Sequence, residues 1–241
     1  LNAADENGIL VVNAPGVNSI SVAEHACALL LALSRHIAVA DSQMKRGLWE
    51  KKSLQGAELR GKTLGILGLG RIGREVARRA SAFEMTVVAH DPFISAQLAD
   101  GLAVELLSLD ELRARADYIT LHIPSTATTT QLIDRAWLAQ CRPGVRIVNT
   151  ARGDLIDEAA LLEGLTSNQV AGAALDVFQV EPPINQELTG HPHVVATPHI
   201  AASTKEAQEL VGVETATCVR DFLKSGMVRN AVNFPAVSPE E

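Results

Sequence analysis

The sequence predicts an α/β fold built on a doubly wound parallel sheet. Three observations carry that reading. From Lys62 onward, apolar runs of strand length alternate with helical runs, the pattern of β-α-β units. One strand-to-helix junction is the glycine loop Gly68-Leu69-Gly70-Arg71-Ile72-Gly73. The chain is 47% hydrophobic but only 3% aromatic, so its core has to come from Ala, Val, Leu and Ile.

Strand candidates are Thr63–Leu67, Thr86–His90, Tyr118–Leu121, Arg146–Asn149, Ala171–Leu175 and Val194–Ala196. Helices such as Arg71–Ser81 and Asp157–Leu165 lie between them. Ahead of this region, Gly8–Asn13 (GILVVN) reads as a short apolar strand closed by the Pro15-Gly16 turn. Ser21-Val22-Ala23-Glu24 reads as a capping box, with Ser at the cap and Glu three residues on. It opens an apolar helix running to about Ala40. Lys45–Leu59 is charged and holds Trp49, which reads equally as an interface residue and as an internal packing anchor. A second capping box, Ser203-Thr204-Lys205-Glu206, opens a last helix to about Lys224. The sheet therefore occupies roughly Gly61–Ala202.

The 241 residues suit one large domain or a domain and a half. The net charge of −7, with no basic block, makes nucleic acid and anionic membrane poor partners. The longest purely apolar run, Ala26–Leu33, is far too short to span a bilayer. No secretory leader is read. Cys27, Cys141 and Cys218 are widely spaced and read as small buried hydrophobes of a reducing cytoplasm. The chain opens on Leu1 with an apolar run already under way at Ile9–Val12, and reads as a segment of something longer.

The glycine loop gains force from its setting. It follows an apolar strand and opens a helix, and Asp91 stands eighteen residues past Gly73 at the end of the next strand. That is the Rossmann dinucleotide fingerprint. Gly68 makes the tight turn, and Gly70 lets the backbone approach a pyrophosphate at the helix N-terminus. Gly73 permits close helix–strand packing. A carboxylate at Asp91 accepts bonds from a ribose 2′-hydroxyl and repels a 2′-phosphate, so the expected cofactor is NAD and not NADP.

Ligands of open α/β sheets bind past the carboxyl ends of the strands. The residues found there are Gly68, Asp91, His122 to Pro124, Thr150 to Arg152, Asp176 with Glu181 beyond, and Thr197 to His199. His191-Pro192-His193 precedes its strand and belongs at the opposite edge. The histidines of HPHVVATPHI are therefore not expected to share a metal, and no metal site is expected. An Arg, an Asp, a Glu and a His at one edge beside a nicotinamide suit oxidation of a hydroxy acid. His takes the hydroxyl proton, Glu orients the imidazole and favours its charged form, and Arg grips the carboxylate. Each alone has a plainer use: Arg152 pairing with Asp154 or Asp157, His199 capping its loop.

On LGILGLGRIGREVA (Leu64–Ala77), NTARGDLIDEAAL (Asn149–Leu161), GAALDVFQVEPP (Gly172–Pro183) and TPHIAASTKEAQE (Thr197–Glu209), the chain resembles the NAD-dependent D-2-hydroxyacid dehydrogenases. The STKEAQE run and the ending AVNFPA are most similar to the branch that oxidises 3-phospho-D-glycerate on the way to serine. The resemblance implies catalytic Arg152, Glu181 and His199. It implies cofactor contacts from Gly68, Gly70, Arg71, Ile72, Gly73, Asp91, Ile123, Thr150, Ala151 and Asp176, the last holding the nicotinamide carboxamide. Ile123 stands where close relatives often carry Thr, so contact there is expected through backbone or packing. The resemblance also implies a homodimer through the cofactor domain, here the 21–40 helix and Trp49, and a cytoplasmic enzyme. It divides the chain into a remnant of a substrate-binding lobe (1–14), an NAD-binding Rossmann domain (15–202), a return helix (203–227) and a linker-like tail (228–241). With only remnants of the second lobe, the chain is expected to bind NAD with little or no turnover. Glyoxylate, hydroxypyruvate and D-lactate dehydrogenases share these motifs, and the C-terminal-binding-protein corepressors share the fold.

Overall fold

A computed structural model describes residues 1–233. The end of the AVNFPA run and the rest of the expected tail, residues 234–241, lie outside the described residues. The elements in chain order are α1 (Asn2–Glu6), α2 (Ser19–Ser34), α3 (Ile37–Lys45), β1 (Thr63–Leu67), α4 (Arg71–Ala82), β2 (Thr86–His90), α5 (Ala96–Asp100), β3 (Glu105–Leu106), α6 (Leu109–Arg115), β4 (Tyr118–Leu121), α7 (Arg135–Ala139), β5 (Val145–Asn149), α8 (Glu158–Thr166), β6 (Val170–Leu175), α9 (Gln186–Thr189), β7 (Val194–Ala196) and α10 (Lys205–Ser225).

The strands form one sheet in the order β3-β2-β1-β4-β5-β6-β7, with every neighbouring pair parallel. The chain winds outward from β1 through β2 to β3, then crosses back to β4 and winds the other way. The switch point lies between β1 and β4, where such sheets bind ligands. Two apolar clusters follow from the period-two alternation of side chains. Ile119, Leu121, Ile147, Ala173 and Leu175 join Leu112, Trp137, Leu138 and Leu161 on one side. Leu64, Ile66, Tyr118, Val148 and Ala174 join Val76 and Ala77 of α4 and Ala23, Ala26, Leu29, Leu30 and Leu33 of α2 on the other. Cover on both faces explains why the strands read as unbroken apolar runs. Each fully buried Leu or Ile contributes about 1.5–3 kcal/mol.

Four of the six expected strands have the expected bounds; β5 and β6 each begin one residue earlier. Asp157 is the cap of α8, not its first residue, its Oδ1 accepting from the Ala159 and Ala160 amides. Other expectations fail for stated reasons. Ser21 does not cap α2, which starts two residues earlier on a turn that bonds Ser19 N to Gly16 O. The Ser21 hydroxyl instead meets that of Thr204 at 2.8 Å. The helix does not run on to Ala40. Ser34 O accepts the Ala57 amide at 2.9 Å, so the helical ladder stops, and His36 turns left-handed at φ 54°. Ser34 adds a bond back to Leu30 O at 2.7 Å and shares one with Tyr118 Oη at 3.0 Å. Thr204, not Ser203, caps α10, its hydroxyl accepting from Ala207 N.

The chain divides into two compact units, Val22–Ala201 and a smaller one of Leu1–Ser21 with the chain from Ala202 onward. Gly8–Asn13 is no strand of the sheet. It lies in the smaller unit, held by an antiparallel bridge between Val12 and Ala231. There Asn233 accepts from Val11 N and donates to Ile9 O and Asp5 Oδ1. In the larger unit Trp49 is 79% exposed, so it anchors nothing within the chain. Cys141 and Cys218 are buried as expected, and Cys27 is half-buried. No single described helix is long and apolar enough to cross a membrane; α2 and α3 reach that composition only together, across a 67° bend.

Candidate active site

The glycine loop joins β1 to α4 at the switch point. Gly68 has φ +93°, and a Cβ there would stand 2.6 Å from His122 O. A Cβ on Gly73 would stand 2.1 Å from Gly68 O, so helix and loop touch through bare backbone. Gly70 differs: nothing lies within 4 Å of where its Cβ would be, and no side chain caps the helix it begins. That leaves amide donors facing open space, with the helix dipole behind them. Asp91, at the end of β2, accepts from Leu69 N at 2.8 Å and Phe93 N at 2.9 Å. It therefore shapes the loop as well as bordering it. Arg71 is exposed and Ile72 half-buried just beyond.

On the far side of the switch point, His122 and Thr150 directly follow the ends of β4 and β5, whose last residues Leu121 and Asn149 are paired. His122 Nδ1 and Thr150 Oγ1 are buried with no partner among the described residues. Burial lowers the His122 pKa to about 3, so this imidazole is neutral at pH 7. Ile123 packs its side chain against the core. A bare-backbone loop, an uncapped helix start and two orphaned polar groups on adjacent strand ends fit a polar, phosphate-bearing dinucleotide.

The loop after β5 is drawn in by Asn149, which accepts from Ala151 N at 3.0 Å and donates to Arg152 O at 2.8 Å. Arg152 is exposed; its guanidinium bonds only the Ala151 carbonyl and has no ion pair among the described residues. The plainer uses foreseen for it fail: Asp154 bonds the Ser125 hydroxyl and Asp157 caps α8. Gly153 lies so close to Phe178 that a Cβ would be 1.9 Å from its carbonyl carbon. Phe178 N in turn donates to Glu181 Oε1 at 3.1 Å.

Glu181 Oε2 lies 2.7 Å from His199 Nδ1. Burial works to raise the Glu181 carboxyl, but bonds from His199 and Phe178 N outweigh it and hold it below the ordinary glutamate value. A carboxylate only accepts, so Nδ1 of the half-exposed ring carries a proton, and Nε2, which bonds nothing among the described residues, is the nitrogen that can act as a base. His199 itself is left-handed at φ 53°. Asp176, at the end of β6, is fully buried. Its Oδ1 accepts from Thr197 Oγ1 at 2.5 Å and Ile200 N at 2.9 Å, and its Oδ2 from Ala201 N at 2.9 Å. Burial opposes the charge, yet His25, Thr197 and the two amides lower the carboxyl to about 2. These bonds tie Asp176 to the loop that carries His199. His191 and His193 lie before β7, rings 5.6 Å apart, away from this edge.

The model of the D-isomer specific 2-hydroxyacid dehydrogenase NAD binding domain matches residues 27–201. The chain belongs to that family. The cofactor of the matched domain is NAD. D-3-phosphoglycerate dehydrogenase of Archaeoglobus fulgidus is 50% identical over this whole chain and 46% of its own length. That of Bacillus subtilis is 47% identical over a similar share. The chain thus spans about half the length of the curated relatives it matches. Among solved structures, a glyoxylate reductase from Paecilomyes thermophila is 38% identical, with a TM-score of 0.88, over 96% of this chain and 70% of that one. Like the other family motifs, those carrying Arg152, Glu181 and His199 stand at strand ends and were open to a sequence reading. His25, which touches Asp176 from α2, was not: nothing in its own segment points to a partner so far along the chain.

Proposed function

We propose that this chain is the cofactor-binding part of a dehydrogenase that oxidises a D-2-hydroxy acid, 3-phospho-D-glycerate, to its 2-oxo acid. The observation that carries the reading is the 2.7 Å Glu181–His199 pair at the edge that holds the glycine loop. The free Nε2 of His199 takes the hydroxyl proton of the substrate, and Glu181 stabilises the imidazolium that results. Arg152, with no ion pair among the described residues, binds the substrate carboxylate. NAD, when bound, accepts the hydride. Gly68, Gly70, Arg71, Ile72 and Gly73 hold its pyrophosphate, Asp91 its ribose, and Ile123, Thr150 and Ala151 line its nicotinamide end. Asp176 closes that end while fixing the His199 loop. The choice of phosphoglycerate rests on the names of the relatives and on STKEAQE.

In the same reading, Leu1–Ala14 and the return helix α10 belong with a substrate-binding lobe, and this chain by itself has little or no turnover. The enzyme is cytoplasmic and homodimeric, with exposed Ile37, Met44, Leu48 and Trp49 in the contact. Trp49→Ala is expected to sediment as a monomer; an intact dimer would exclude that contact. The decisive test of the whole is calorimetric titration with NADH and NADPH. Saturable NADH binding with a clear preference is expected, and Asp91→Ala is expected to erase the preference. A folded chain that binds neither nucleotide defeats the proposal, and an unchanged preference in Asp91→Ala removes Asp91 from it.

A further inference from the structure

The charge of Asp176 lies wholly inside the fold, and one of its partners comes from far along the chain. His25 sits on α2, 172 positions before Thr197. Its Nε2 is 3.1 Å from Thr197 Oγ1 and 3.3 Å from Asp176 Oδ1. The Thr197 hydroxyl has one proton and gives it to Asp176 Oδ1. Neither oxygen facing His25 then has a proton to offer, so Nε2 carries one and donates it to both. The geometry fixes the tautomer of this histidine.

We infer that His25 is a positioning residue for His199. Asp176 holds three successive residues of the base loop: its carbonyl accepts His199 N at 2.9 Å, and its carboxylate accepts Ile200 N and Ala201 N. The left-handed backbone of His199 is strained and persists only where its surroundings over-determine it. His25 completes that constraint. It keeps the Thr197 hydroxyl turned toward Asp176 and supplies the buried carboxylate with a donor, so that His199 Nδ1 stays on Glu181 and Nε2 stays free. The apolar face of α2 is already furnished by Val22, Ala23, Ala26, Leu29, Leu30 and Leu33, so α2 does not need His25 for its burial. The inference rests on the proposed function only in naming His199 the base.

The test compares His25→Gln, which keeps a donor near the Nε2 position, with His25→Leu, which keeps none, in the 241-residue chain without cofactor. Ring ¹⁵N shifts report which nitrogen of His199 carries the proton, and hydrogen exchange reports on the Ile200 and Ala201 amides. His25→Leu is expected to shift the His199 Nδ1 resonance, the sign of a weakened bond to Glu181. It is also expected to speed exchange of both amides about tenfold, the effect of losing one hydrogen bond of about 1.4 kcal/mol. His25→Gln is expected to restore both readouts. Unchanged His199 shifts and amides in His25→Leu overturn the inference even if the melting temperature falls, and so does a Gln variant that behaves like Leu. Should His25→Leu fail to fold, His25→Ala carries the same comparison, and unchanged protection there overturns it equally. NADH titration of the wild-type sample reports separately: absent binding defeats the proposed function and leaves the His199 result standing.

Discussion

The glycine loop and the His199 loop stand at the same edge of one sheet and are held by opposite means. Gly68–Gly73 keeps its shape because side chains are missing: two backbones meet where a methyl group would not fit. Thr197–Ala201 keeps its shape because one side chain is present, the buried Asp176 carboxylate, on which a hydroxyl and two amides converge. The first device is chiefly steric, with the Asp91 carboxylate adding one bond to Leu69 N. The second is electrostatic and depends on a charge. A site that binds a dinucleotide needs only the first; a site that places a base needs the second.

The steric side breaks most severely. In Gly73→Ala the new methyl group meets the Gly68 carbonyl oxygen at 2.1 Å, and backbone cannot turn aside as a side chain can. Overpacking of this kind is expected to destabilise by about 3 kcal/mol or more, read by denaturant unfolding. Gly70→Ala is the control from the same motif. Its methyl group has open space and its φ of −69° suits any L-residue. Stability is expected to change by less than about 1 kcal/mol, while NADH affinity falls about tenfold or more because the backbone is kept from the pyrophosphate. Equal stability losses in the two variants would end the steric account.

The electrostatic side breaks with pH. The Asp176 carboxyl is lowered from 3.8 to about 2 in the folded chain. A depressed carboxylate contributes stability that is fully present above pH 3.8 and is lost as pH falls through its folded value. The shift corresponds to about 2 kcal/mol. Asp176→Asn is therefore expected to be less stable than wild type at pH 6, with the gap closing by about 2 kcal/mol toward pH 2. Parallel curves for the two proteins would mean that the charge does not hold the loop.

The same contrast explains what could be read in the sequence. Strands buried on both faces, such as Tyr118–Leu121, leave uninterrupted apolar runs, so the sheet and its loaded edge were legible. The glycine loop was legible because its cause is local. Edge strand β3 is two residues long, exposed at Glu105, and leaves no such run. The break after Ser34 depends on the Ala57 amide, and the real start of α2 leaves Ser21 free for Thr204. His199 and Glu181 could be named from their places past β7 and β6. The lock behind them could not, since His25 and Asp176 become neighbours only when α2 folds onto the sheet.

The smallest effect on stability is expected where the effect on chemistry is large. Glu181 and His199 are both substantially exposed, so their contact contributes less than about 1 kcal/mol to the fold. Glu181→Gln should unfold close to wild type and bind NADH as well, because neither the glycine loop nor Asp176 is touched. A glutamine oxygen still accepts from Nδ1 and preserves the tautomer, but it is neutral and no longer stabilises imidazolium. In a protein carrying a complete substrate cleft, hydroxy-acid oxidation is expected to fall about a hundredfold, the scale of a lost general-base contribution. The fall should appear in kcat more than in KM, since the charge matters when the proton has moved. A rise in KM alone would assign Glu181 to substrate binding, and the base loop would then owe its pairing to structure and not to proton transfer.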